Sequence, residues 1–159
     1  MGLFGSLFDK GVKGDLKRFY YSPGYCDMLG ASHYSTLEKN DDGNWIFVTG
    51  DREEHSEPMT VITYSVSAEK ASEFEKFIKE TNFTALSKRP KNRGFMTDYS
   101  PWGYYLDFDC SASGGSRSES FDITEYHEYT SKDLDLMKEV LGRFNALKGD
   151  LISEVKEDD

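Results

Sequence analysis

A unit of two short strands followed by an amphipathic helix occurs twice in this chain, and it constrains the fold more than any other feature. Apolar Ala71, Phe74, Phe77 and Ile78 follow an alternating stretch at 59–66, and Leu134, Met137, Val140 and Leu141 follow a second at 121–126. The two helical sets lie 63 positions apart, as do the cap candidates Ser67 and Thr130. Spacings of three and four bring residues onto one helix face, whereas period two marks a strand with one buried side. Few residues are identical between the copies, so the repetition reads first as the frame of one sheet domain, with a ββα pseudo-repeat as the alternative. Either way it predicts an α+β fold: a mostly antiparallel sheet of five to six strands with two main helices on one face.

Other segments fill in this frame. Residues 1–19 carry Leu3, Phe4, Leu7, Phe8, Val12, Leu16 and Phe19 at helical spacing and read as an amphipathic helix. Gly5, Gly11 and Gly14 weaken it, so it needs something to dock on. Its own domain is the ordinary answer, and peripheral contact with a membrane through residues 3–16 is the other. The opening Met1-Gly2-Leu3-Phe4-Gly5-Ser6 also fits the short myristoylation pattern, on which nothing is built. Residues 20–155 form the single domain, starting with a loop or broken edge strand at 20–30. Stretches 33–38 and 45–49 flank Asp42-Gly43, a pair suited to the positive φ of a tight turn. Residues 84–103 read as a long connection without periodicity, and such connections often carry function. In the second hairpin, Tyr104, Leu106, Phe108 and Cys110 alternate with Tyr105, Asp107 and Asp109, as in a sheet buried on one side and wet on the other. The return strand is expected to run over 121–129. The last helix passes Phe144 and Leu147, and either Gly149 ends it or Leu151, Ile152 and Val155 extend it; residues 156–159 read as a frayed acidic tail.

Charge narrows the function classes. The formal net charge is −10, with seven acids against two bases at 38–57 and five against one at 150–159. Such a balance disfavours nucleic acid and anionic lipid. The exception is the basic stretch Lys88, Arg89, Lys91 and Arg93, which could meet a phosphate or an acidic partner. It lacks the interleaved aromatics of a single-strand binder. Cys26 and Cys110 lack metal-type spacing and read as thiols of a reducing compartment, with a single long-range bridge as the alternative and the cytoplasm as the default. No run is long and apolar enough to span a membrane.

Motifs for catalysis are sparse. Glu38–Gly43 imitates the start of a calcium loop, but the twelfth position holds Thr49 rather than a bidentate Glu. None of the three histidines has a partner at zinc spacing, so neither metal nor cofactor is expected. No nucleophile elbow or phosphate loop is present. His127 stands between Glu125 and Glu128 on the expected return strand, which pairs with the strand of Asp107 and Asp109. A His–carboxylate couple there could act as acid and base, but a solvated, salt-bridged sheet face is the favoured reading.

The expectation is a small, soluble, acidic, non-catalytic domain that binds another protein, as an inhibitor or immunity-type module would bind a basic surface. Its contact surface would comprise the polar sheet face and the 88–103 loop. A binder of a small ligand or carbohydrate, using Trp102, Tyr105, Asp107 and Asp109, is the alternative. A hydrolase built on His127 has the least support.

Overall fold

Asn40 and Gly43 close the first hairpin: Gly43 takes φ +82°, and Asn40 Oδ1 accepts from the N–H groups of Asp42 and Asn44, both at 3.0 Å. This turn joins β3 (Ser32–Lys39) to β4 (Trp45–Arg52), and β5 (Met59–Ser65) pairs next. The computed structural model describes residues 12–26, 30–92, 99–111 and 117–157. The remaining strands are β1 (Asp15–Ser22), β2 (Tyr25–Cys26), β6 (Tyr99–Ser100), β7 (Gly103–Asp109), β8 (Ser118–Thr124) and β9 (Leu151–Glu157). Seven of them, rather than the expected five to six, form one antiparallel sheet in the order β8-β7-β1-β3-β4-β5-β9, and β2 pairs with β6 in a separate ribbon.

Both expected helices form, α1 at Ala68–Glu80 and α2 at Ser131–Asn145. Ser67 caps α1 by accepting from the Lys70 N–H at 3.1 Å, and Glu69 and Lys79 suit the two ends of its dipole. Thr130 and Asp133 form a reciprocal capping box at the start of α2. Ala71, Phe74 and Ile78 of α1 and Met137, Val140 and Phe144 of α2 face the same side of the sheet. There Phe144 sits 4.6 Å from Phe19 and 4.7 Å from Phe47, ring centre to ring centre, with Phe74 at 5.1 Å from Phe19. Burying each such ring contributes about 2–3 kcal/mol. Leu134 departs from expectation: it is 49% exposed, while Asp133 beside it is buried.

Four other expectations are corrected. The helix over 1–19 is not what 15–19 adopt; these residues are in β1, and 1–11 lie outside the described residues. A bulge between Leu16 and Arg18 inserts one residue, so Leu16 and Phe19 face the core at a spacing of three that imitates a helix. Leu16 is buried within the domain and Val12 packs against the same core. The last helix is not extended; residues 151–157 return as β9 beside β5, so Lys156 and Glu157 belong to a strand rather than to a tail. The connection after α1 is partly ordered as a 3₁₀ helix, Phe83–Lys88, which buries Phe83 and Leu86. Finally, β8 stops at Thr124, not at 129. The helices keep their 63-residue offset, but the strands before them do not: two residues separate β5 from α1 and six separate β8 from α2.

Candidate binding face

The helices cover one side of the sheet, and among the described residues no helix covers the other, the open side. Register puts Tyr105 of β7, Tyr20 of β1 and Thr36 of β3 in one row across the open side, with Asp122 of β8 beyond Tyr105 and Val48 of β4 beyond Thr36. The next row reads Ser120, Asp107, Arg18, Glu38 and Ile46. Charges of both signs therefore border the aromatics on one flank, and apolar side chains continue them on the other.

The tyrosines hold one another in place. Tyr20 and Tyr34 are nearly parallel at 5.7 Å between ring centres, and Tyr105 meets Tyr20 at 5.7 Å and 64°. The Arg18 guanidinium lies 5.1 Å above the Tyr20 ring. The outer rings rest on glycines. A Cβ on Gly50 would come within 2.1 Å of the Tyr34 ring, and one on Gly103 within 2.8 Å of the Tyr105 hydroxyl. Thr36, although on the side away from the helices, is only 2% exposed, and its hydroxyl donates to Glu38 Oε1 at 3.1 Å. Burial, helped by the carboxylates of Glu157 and Glu38, pushes the Tyr34 phenol up and keeps it a neutral hydrogen-bonding group.

The residues singled out from the sequence divide around this face. Tyr105 and Asp107 belong to it, and Asp107 accepts from the Ser120 hydroxyl at 2.6 Å. Asp109 lies farther along, where the β1 bulge opens a groove of about 400 Å³ lined by Asp15, Lys17, Arg18, Glu38 and Lys39 as well. The N–H of Ser111 donates to the Asp109 carboxylate at 2.9 Å and holds it below the usual carboxylate range. Trp102 faces the other side, 6.0 Å from Tyr104 and 5.9 Å from Tyr129, against the core. It does not share a surface with Tyr105.

His127 is buried in the turn after β8 rather than exposed on a strand. Its Nδ1 lies 3.2 Å from the Thr124 hydroxyl, and its backbone bridges to Lys91, so it forms neither the favoured salt-bridged sheet face nor a couple with Asp107 or Asp109. A His–carboxylate contact occurs instead at His33, whose Nδ1 is 2.9 Å from Asp51 and Nε2 3.6 Å from Glu53. Among the described residues no group of three or more acidic, histidine or cysteine side chains is placed to hold a metal ion.

The basic stretch also divides. Arg89 is engaged as a bidentate partner of the buried Asp133, while Lys88 and Lys91 are exposed and Arg93 lies outside the described residues. Pro90 and Asn92 are tied to the turn after β8 through backbone hydrogen bonds with Glu128 and Tyr126.

Comparison with known proteins returned no match. No family model, curated protein or solved structure matches the chain.

Tyr20, Tyr34 and Arg18 are the residues that sequence reasoning left out of the face. Arg18 and Tyr20 lie in the segments read as helix and as broken strand, and Tyr34 in the hairpin around Asp42-Gly43, to which sequence reasoning gives no contact role. The signal that could have found Arg18 and Tyr20 is their alternation, with Ser22, against Phe19 and Tyr21.

Proposed function

We propose that the chain is a non-catalytic binding domain that docks another protein on the open face of its sheet. The ring cluster Tyr105–Tyr20–Tyr34, capped by Arg18, carries this reading. Tyrosine and arginine are among the side chains enriched where proteins bind one another. Rings already braced by neighbours and by glycine floors lose little freedom on docking, which lowers the entropic cost of association. Asp122, Asp107 and Glu38 outnumber Arg18 around the cluster, so the complementary partner presents a basic surface. A carbohydrate reading draws on the Tyr105 ring, 38% exposed beside Asp107 and Asp122, and a glycan array tests it independently.

The discriminating experiment is capture from the native host with two baits, the wild-type chain and a Tyr20→Ala/Tyr105→Ala variant. A protein retained by the first at physiological salt and lost with the second supports the reading. Equal retention by both, or none by the first, contradicts it.

A further inference from the structure

We propose that β9 pairs with β9 of a second copy of this chain, joining two seven-stranded sheets into one continuous sheet. β9 stands at the end of the strand order, so one row of its backbone N–H and C=O groups faces outward, a template for another strand. It is also the apolar edge: Leu151, Ile152 and Val155 are 62%, 57% and 48% exposed.

What selects a second copy as the occupant is charge complementarity within the strand. In an antiparallel pair of identical strands centred on Val155, Val155 meets Val155, Glu154 meets Lys156 twice, and Ser153 meets Glu157 twice. Two ion pairs flank an apolar contact on the symmetry axis, which is the pairing that stabilises an antiparallel ladder. Moving the centre by one residue removes this match. Centred on Glu154 the strand sets that carboxylate against itself, and centred on Lys156 it opposes two ammonium groups. Within the chain, Glu154 and Lys156 lie opposite Ile62 and Thr60 of β5, so neither charge is used by the neighbouring strand. β8, at the other edge, carries two acids and no base, and no register of it with itself pairs opposite charges. Pairing about Val155 keeps both helix layers on the same side and leaves both tyrosine rows on a shared open face.

The test is sedimentation equilibrium from about 10 μM to about 1 mM, a range that reaches weak edge contacts. The wild type should dimerise, and Glu154→Lys and Lys156→Glu should each weaken dimerisation by about tenfold or more, since both cross-strand pairs turn repulsive. An equimolar mixture of the two single variants should form a heterodimer, which also shows that both are folded. The double variant E154K/K156E keeps the net charge of the wild type and should dimerise like it. A wild type that stays monomeric throughout, or a dimer indifferent to both single substitutions, overturns the proposal. So does failure of the mixture and of the double variant to restore association.

Discussion

Arg89 grips Asp133 with two hydrogen bonds, Nε to Oδ2 at 2.8 Å and Nη2 to Oδ1 at 2.9 Å, across 44 positions of sequence. Asp133 is buried and also accepts from the Thr130 N–H at 3.0 Å, so one carboxylate caps α2 and anchors the end of the 3₁₀ helix. These bonds, chiefly those from Arg89, hold the Asp133 pKa down at about 2. An aspartate depressed in this way stabilises the folded chain above its unfolded value near ~3.9 and loses that stabilisation as pH falls through the folded value. Chemical denaturation of the wild type between about pH 5 and about pH 2 should therefore show a contribution of about 2 kcal/mol draining away. Arg89→Ala should lower stability at neutral pH by a similar amount and flatten that acid limb. An unchanged acid limb in the variant would remove Arg89 from the account.

The glycine floor under Tyr34 should be measurable as coupling. Gly50→Ala would drive the ring off its seat, because the added Cβ falls within 2.1 Å of it. We expect Gly50→Ala to cost about 1 kcal/mol in the wild type and much less in a Tyr34→Ala background. Additive effects in urea denaturation would mean that the ring does not rest there.

His127 and Tyr129 are expected to affect stability and not binding. The Thr124 carbonyl accepts from the Tyr129 hydroxyl at 2.7 Å, and the Thr124 hydroxyl lies 3.2 Å from His127 Nδ1, contacts that fix the turn after β8. Tyr129→Phe should cost about 1 kcal/mol, and His127→Gln a comparable amount. Neither should alter capture of a partner, and loss of capture by a folded His127→Gln chain would bring the histidine back into the site.

Cys110 should be slow to react in the folded chain. It is a free, buried cysteine whose thiol lies 3.5 Å from the Glu119 carboxylate, and burial with that neighbour pushes its pKa up. Less thiolate means slower alkylation. Peptide mapping after iodoacetamide treatment should find Cys110 unmodified in native buffer and modified in denaturant. Rapid native labelling would contradict its burial.

What could be read from the sequence depended on how directly a local pattern reports its surroundings. Ser67 and Thr130 announce their helices because caps and amphipathic spacing act within a few residues. The alternation of Tyr104 to Cys110 reports a sheet with one covered side. β1 was hidden because its bulge makes the spacing from Leu16 to Phe19 look helical. β9 was hidden because it is exposed on both sides, which removes the pressure to alternate, and Leu151, Ile152 and Val155 fall at helical spacing by coincidence. Half of the candidate face vanished with β1. The roles of Arg89 and His127 depend on contacts with Asp133 and with the turn after β8, which no local pattern displays.

Footprinting of the tyrosine row tests the central claim most directly. Hydroxyl-radical oxidation of the chain in its native host, compared with the purified chain, reports what covers each exposed side chain. The account predicts protection of Tyr105 and Tyr20 in the host, with Leu134 on the helix-covered side oxidised equally in both. Equal oxidation of the tyrosines in both settings, or protection confined to Leu134, would contradict the assignment of the open sheet face as the binding surface.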